Sequence, residues 1–558
     1  MKSRSSPQKN TTRSRVSEQN KTQSGNGNKM PIPTIRQKTI IGLAVILASA
    51  FLLFFNLGHY ALWDDESETA LGAQGVLATG DTTAVIGHNI QARRGGINLI
   101  HLHDRVTPPL PTYLMAASFR VFGVSTFAAR LPVALCGLLT IGLILWWMWK
   151  SDAILQTWLL MAVAILGNVS FFLYFRQARY YGVALSLAVF LVYFYLNWKP
   201  TRRHAACFSM AAGFLFMCHP IAFAQAAAVI GLDYLLFNRQ QKIFQLRTLP
   251  FLAGPATVMV VATLLVWNPL ATKAKGYLDT VTLQDRLTLL YWYFRDINAA
   301  EFLVGLLVVA APFAYLLSRN KWILRCLTAI VVTVAVTSMV SYQNLTQTSV
   351  ADIRYTIAVI PLGIMLGVLT IQGIVPRNTG WAVAIAVVAF WTNLLHGAVF
   401  RPSKVSSSLK KFTGELLHPV PEPYTPVATW IRNEVPPDAS IVVFPDYMAY
   451  PLMFYAPQAI YAWQIPNDSD PQFSALPAIH FQGKVMPDYI IVFGPALQSL
   501  LPYFNHWHET RGVSYQRVAN IPVFWKDLYR PELFWRTFVP VTGFNPDRDG
   551  VNILKRQN

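Results

Sequence analysis

Acid is scarce in this chain. Asp and Glu together number 27 among 558 residues, against 46 Lys and Arg, and charged residues of all kinds make up 13%. An ordinary soluble domain carries about a quarter of its residues as Asp, Glu, Lys and Arg. The shortage, together with 53% apolar residues and a mean hydropathy of +0.36, excludes a simple soluble globule and points to a polytopic membrane protein. Cysteine is scarcer still. Cys136, Cys207, Cys218 and Cys326 all fall inside apolar runs, which excludes a disulfide framework and a spaced metal site and leaves them as core filler. No internal repeat stands out. The net charge of +19 is spread over short stretches between apolar runs, a pattern that orients a membrane protein and argues against nucleic acid as a partner.

Apolar runs set the organisation. Residues 1–38 are rich in Ser, Thr, Asn, Gln, Lys and Arg and cannot bury enough surface to offset ordering entropy, which predicts a disordered basic tail on the cytoplasmic side. The run from Ile40 to Leu57 is long enough to cross hydrocarbon, and no small-residue cleavage site follows it, so it reads as a retained anchor. Further runs near 126–149, 155–174, 181–198, 205–218, 220–237, 249–267, 301–317, 323–341, 355–373 and 380–399 bring the expected total to about eleven crossings. Counted from a cytoplasmic start, Lys150, Lys199 to Arg203, Arg239 to Arg247, Arg319 to Arg325 and Arg377 all fall inside, as the positive-inside rule requires. The loops at 58–125, 175–180, 268–300 and 342–354, and everything after Arg401, then lie outside.

The expected fold class is therefore an α-helical polytopic membrane protein with a C-terminal soluble α/β domain. Its parts are the tail at 1–38, a transmembrane domain at 39–400, and an outer domain at 401–558. Within the first outer loop (58–125), Glu66 to Thr79 and Pro109 to Phe122 are too short or too interrupted to span and are expected as interfacial helices. In the outer domain, Ser440-Ile-Val-Val-Phe444 and Tyr489-Ile-Ile-Val-Phe493 read as strands, and Pro426 to Glu434 has helical spacing.

Against this scarcity, Leu62-Trp-Asp-Asp-Glu-Ser-Glu68 places Asp64, Asp65 and Glu66 side by side just after the first span. Charge beside a bilayer is tolerated near water and costly at depth, so the cluster marks an interfacial site where acid chemistry can meet a lipid-borne substrate. The bland alternative is a set of solvated acids that favour a helix start. Other outward-facing polar groups are Asp104 and Arg105; Arg176, Arg179 and Tyr180 in a very short turn; His219 beside Pro220; Lys273, Lys275, Arg286 and Arg295; and Arg354. Loop ion pairs, lipid headgroups and helix capping account for such residues equally well. Asp547-Arg-Asp549 is read as a chance Asp-x-Asp near the C-terminus.

Four stretches, in order, resemble GT-C superfamily membrane glycosyltransferases, in particular bacterial relatives of protein O-mannosyltransferases (family 39) and lipid A aminoarabinose transferases. Leu62-Trp-Asp-Asp-Glu-Ser-Glu-Thr-Ala70, continuing to Ala78-Thr-Gly-Asp81, is similar to the family's Asp-Glu motif and its interfacial helix. His103-Asp-Arg-Val-Thr-Pro-Pro-Leu110 resembles the stretch ending in Pro-Pro-Leu; Phe127-Ala-Ala-Arg-Leu-Pro132 resembles the start of the second span; Arg354-Tyr355 with Pro361 resembles the Arg-Tyr opening of a late span. The resemblance implies a GT-C fold and makes Asp65 the general base and Glu66 its neighbour, with Asp64 leaving the register open by one residue. It also implies that Arg105 and Arg354 contact phosphate, although Val106 and Thr107 separate Arg105 from the prolines, where relatives have Lys beside proline. The turn at Arg176, Arg179 and Tyr180 resembles the family's Arg-rich turn, without the second acid that aminoarabinose transferases place nearby.

Such an enzyme moves a monosaccharide from a polyprenyl-phosphate donor to a lipid, protein or glycan acceptor on the outer face. One carboxylate must take the acceptor's proton while cations stabilise the departing phosphate. No cofactor is required by this chemistry, and paired acids leave room for a divalent cation without forming a rigid ligand set. The resemblance further implies the bacterial inner membrane, with the site facing the periplasm. The alternative class is a transporter or flippase of lipid-linked sugars, for which repeated halves and ionisable groups buried mid-span are the expected signs.

Overall fold

The structure, a computed structural model, describes residues 32–240, 243, 245–268, 281–300, 304–341, 343, 345, 350–392, 394–395, 407–525 and 543–557. Lys273 and Lys275, and residues 1–31 of the basic tail, lie outside the described residues.

The first span is α1 (Ile35–Phe54), opened by a capping box in which the Thr34 hydroxyl accepts from the Gln37 N–H. Two short helices follow in the loop after it, α2 (Asp64–Thr79) and α3 (Pro109–Phe122), close to the expected bounds. Between them run two small hairpins, β1 (Val85–Ile86) with β2 (Asn89–Ile90) and β3 (Leu99–Ile100) with β4 (His103–Asp104). The long helix α4 (Thr126–Lys150) begins on Ser125, whose side chain accepts from the Ala128 N–H.

Each apolar segment expected to cross contains a helix, yet their lengths differ. Five helices, Ile35–Phe54, Thr126–Lys150, Pro220–Phe237, Leu249–Val266 and Lys321–Val340, are long and apolar enough to cross a membrane. Leu155–Gly167 with Val169–Phe175 forms a sixth candidate bent by 60°. The bend has a local cause: Asn168 leaves the helical path and its side chain caps the Phe171 N–H at 2.8 Å. Tyr180–Leu196, Val359–Ile374 and Thr379–Trp391 are shorter apolar helices. The multi-pass helical architecture stands, while the count of eleven does not follow from these lengths.

One expected outer loop contains structure. Residues 268–300 include the helix Leu283–Ala300, whose Asp285, Arg286, Arg295 and Asp296 interrupt the apolar pattern by which a span is recognised. Arg286 is spent on the Ser338 carbonyl at 3.0 Å and on that of Ser341, and Arg295 pairs with Asp296 at 2.7 Å.

The C-terminal region holds a five-stranded sheet of order β6-β5-β7-β9-β8, made of β5 (Ser440–Phe444), β6 (Ile460–Tyr461), β7 (Tyr489–Phe493), β8 (Ser514–Ile521) and β9 (Val551–Gln557). The strands β5, β6 and β7 run parallel and β9 returns antiparallel beside β7. Alternate side chains feed two cores. Ile441, Val443, Ile491, Phe493 and Ile553 face the helices Tyr424–Glu434 and Ala449–Tyr455, while Val442, Ile490, Val492 and Leu554 face Leu500 and Trp507. Asp547 and Asp549 pair with Arg517 and Arg548, so the Asp-x-Asp serves this region's own packing.

This region sits on the loop between α1 and α4. Ala84, Ile90, Ala92 and Leu99 share a core with Ile465, Phe473 and Phe481. Gly95 and Gly96, at φ +72° and +78°, permit the contact, because a Cβ at Gly95 would lie 2.6 Å from Pro466 Cδ and one at Gly96 2.9 Å from Phe473 Cζ. The Asn89 side chain accepts from the Tyr461 N–H at 2.7 Å and donates to the Ala459 carbonyl at 3.0 Å.

Candidate active site

The acids of α2 point two ways because neighbours in a helix lie about 100° apart. Asp65 and Glu68, three residues apart, share one face and are each 5% exposed. Glu66 looks to the opposite side and is fully buried. Asp64 is half-buried at the first turn, where its charge acts on Arg93 and Tyr450.

Three arginines converge on the Asp65 face. Arg354 Nη1 and Arg93 Nη2 each stand 3.0 Å from an Asp65 carboxylate oxygen, on opposite sides of the group, and Arg179 Nη2 is 3.6 Å away. Arg93 also pairs with Glu68, and Arg179 Nη1 lies 3.6 Å from the same acid. Arg179 donates further to the Asp65 carbonyl and to Thr69 Oγ1, both at 2.8 Å. Arg354 is steadied from behind by Asp352 at 2.8 Å. Fork-shaped guanidinium groups suit such shared carboxylates, and would suit phosphate oxygens in the same geometry.

The opposite face serves the scaffold. Arg130 of α4 grips Glu66 with two bonds, Nε at 2.9 Å and Nη2 at 2.6 Å, and gives its remaining protons to the carbonyls of Leu57, Tyr60 and Ala61. The Ala178 N–H adds a third bond to Glu66 at 2.6 Å. Glu66 thus ties α2 to α4 and to the turn that carries Arg179.

The remaining predicted residues fall around this pair. Arg176 donates to the carbonyls of Leu52, Leu53, Phe55 and Asn56, closing the end of α1. Tyr180 lies under the Arg179 guanidinium at 5.0 Å and packs on Tyr181 and on His219. His219 caps the following helix, its Nδ1 accepting from the Ala222 N–H at 2.9 Å, and burial pushes its pKa down to about 4. Asp104 accepts from the N–H groups of Val106 and Thr107, both at 2.9 Å, and from Thr107 Oγ1, which shapes the turn into the prolines. Arg105 makes a bidentate pair with Asp81 at 2.6 and 2.7 Å, and its hydrogen bond holds the Asp81 carboxyl down to about 2. Among the described residues Arg105 makes no ion pair with the acids of α2.

Arg93, Glu68 and Arg130 are what the sequence left unassigned. Glu68 and Arg130 stood inside recognised stretches without a role, and Arg93 carried only a loop charge as its signal. The C-terminal region also reaches this site: Tyr450, 3% exposed, feels Glu68, Asp446 and Arg93, and burial first, then Glu68, raises its pKa well above the usual phenol range. Tyr455 accepts from the Leu62 N–H at 2.8 Å. Among the described residues no three His, Cys, Asp or Glu side chains converge as metal ligands.

No protein-family model matches the chain, and no curated protein matches it. Among solved structures, it is similar to ArnT from Cupriavidus metallidurans bound to undecaprenyl phosphate, with a TM-score of 0.53 and 14% identity over 87% of this chain and 97% of that one. The apo state of the same protein scores 0.47 at 14% identity, over 83% and 94% of the two chains. The Archaeoglobus fulgidus oligosaccharyltransferase in complex with zinc and sulfate scores 0.41 at 11% identity, over 85% and 70%. The first likeness shows that the two chains share a fold, and the two lower scores add nothing to it.

Proposed function

We propose that this chain is a membrane glycosyltransferase that moves a monosaccharide from a polyprenyl-phosphate donor to a hydroxyl of a lipid, protein or glycan acceptor, at the periplasmic face of a bacterial inner membrane. One observation carries the reading: a buried carboxylate, Asp65, ringed by Arg93, Arg179 and Arg354 in a GT-C fold. ArnT binds undecaprenyl phosphate, which supplies the donor class.

The chemistry follows from charge. Without substrate the arginines compensate Asp65. A donor phosphate competes for the same guanidinium groups and frees a carboxylate oxygen to accept a proton. The acceptor O–H gives that proton to Asp65 as its oxygen attacks the anomeric carbon. The bond from that carbon to the phosphate oxygen breaks, its electron pair stays on phosphate, and Arg93 and Arg354 stabilise the added charge. A single in-line displacement inverts the anomeric configuration. Glu66 and Arg130 position α2, Asp64 adds to the field on Arg93, and Arg105 with Asp81 orders the loop. The arginines already balance the acids, so a divalent cation is optional in this reading.

The full chain in lipid nanodiscs, given radiolabelled undecaprenyl-phosphate hexoses and pentoses with candidate acceptors, is expected to break the sugar-phosphate bond, and Asp65→Asn is expected not to. A folded Asp65→Asn variant with wild-type turnover would remove the base assignment. In proteoliposomes, passage of the intact lipid-linked sugar without bond cleavage would replace the enzyme by the transporter.

A further inference from the structure

The Asp65 face of α2 continues through Glu68, Thr69 and Gly72 into a cavity of about 30 Å³, closed on its far side by the loop that carries Arg93, Asn98 and Thr107. Gly72 lines it beside Thr112, and a Cβ there would stand 3.4 Å from Thr112 Cγ2.

Most of the lining side chains carry a polar group, although the larger part of the exposed wall is apolar, and most of those groups have spent their hydrogens. Thr69 donates to the Asp65 carbonyl, Thr82 to the Asp104 carbonyl, Thr107 to the Asp104 carboxylate, and the Gln91 amide to the Glu68 carbonyl. Asn98 differs. It is 6% exposed, and its Oδ1 is buried without a hydrogen-bond partner among the described residues. An unsatisfied buried oxygen costs about 1–3 kcal/mol, a cost that persists where a ligand supplies the missing donor. Beside it stands Glu68, a second acceptor, held by the same Arg93 that holds Asp65.

We propose that this cavity is a hydroxyl-recognition subsite, seating one alcohol group of a sugar next to the base, with the side-chain amide of Asn98 as its hydrogen-bond partner. The inference rests on the glycosyl-transfer reading above. Its size sets the limit: a water-sized group needs about 10–15 Å³, so the cavity admits a hydroxyl or hydroxymethyl group while the ring stays outside. The sugar presenting that group belongs either to the donor or to a glycan acceptor.

The test uses the full chain in nanodiscs with the labelled undecaprenyl-phosphate sugar that the wild type turns over, its monodeoxy analogues, and its acceptor. Loss of one such hydrogen bond corresponds to about a tenfold change. Asn98→Ala is expected to raise one KM by about that factor, and the wild type is expected to discriminate by a like factor against a single monodeoxy analogue, which the variant treats as it treats the parent. A rise in donor KM assigns the hydroxyl to the donor; a rise in acceptor KM assigns it to the acceptor. If Asn98→Ala is not recovered folded, the wild type's discrimination among the analogues carries the test. Unchanged KM values for both substrates, or a water alone beside Asn98 in a donor- and acceptor-bound structure, would overturn the subsite while transfer that still depends on Asp65 leaves the reading of function standing. Absence of any bond cleavage by the wild type would overturn both.

Discussion

The two faces of α2 carry the same chemistry into different company. On one, Asp65 and Glu68 meet three arginines that come from a loop, a turn and the opening of a late helix. On the other, Glu66 meets one arginine whose every proton is already committed to it or to backbone carbonyls. The first arrangement shares charge among partners that an anion could draw away. The second has no such freedom, since each bond of Arg130 also closes a piece of backbone. Adjacent carboxylates therefore separate into one suited to proton transfer and one suited to holding the scaffold, and the rotation between successive helical residues does the sorting.

Five substitutions, two of them combined, would break or sharpen that contrast. The largest effect is expected on turnover: Asp65→Asn should lower kcat by about a hundredfold to ten-thousandfold, the range of a lost general base, with the folded yield unchanged. A comparable loss of yield would move Asp65 to the structural side. Glu66→Gln should do the reverse, costing about 3–5 kcal/mol of stability by leaving Arg130 buried and uncompensated; thermal unfolding of detergent-solubilised protein reads it. Pairing it with Arg130→Met removes the buried charge but strips the carbonyls of Leu57, Tyr60 and Ala61 of their donor, so only part of that loss should return.

A smaller effect is expected from Arg93→Lys. A lysine cannot hold Asp65 and Glu68 as a fork does, so kcat/KM should fall by about tenfold, or about 1.4 kcal/mol, while the unfolding temperature stays near that of the parent. Equal activity in the lysine variant would show that charge alone suffices.

The smallest effect tests the rule behind the contrast, that an acid is content when arginine compensates it. Glu415, in the helix Ser408–Leu417, is buried beside Tyr60 and Arg176, and burial pushes its pKa up from 4.5 to about 7 despite both neighbours. Its folded-state pKa exceeds the unfolded one, so stability present below pH 4.5 is lost as pH rises towards about 7. Glu415→Gln should thus leave the unfolding temperature unchanged at low pH and raise it at about pH 8. An equal shift at both pH values would mean that folding leaves the pKa of this carboxyl unchanged.

Much of the scaffold was legible because its signals are local. Apolar runs gave the positions of the spanning helices, the β-branched runs gave β5 and β7 to the residue, and the helix expected over Glu66 to Thr79 is α2, which begins two residues earlier at Asp64. The bend at Asn168 and the helix Leu283–Ala300 were not legible, the first because one side-chain cap overrides an apolar run and the second because charged residues mask an amphipathic pattern.

The sequence by itself determined that the chain lives in a membrane, where its apolar helices fall, and that acid is concentrated just after the first of them, since hydropathy and composition need no knowledge of distant residues. Tertiary structure alone decided which partners each acid meets. Arg130, Arg179 and Arg354 reach α2 across separations of 64, 114 and 289 residues, and no local pattern predicts which of three consecutive carboxylates each will meet.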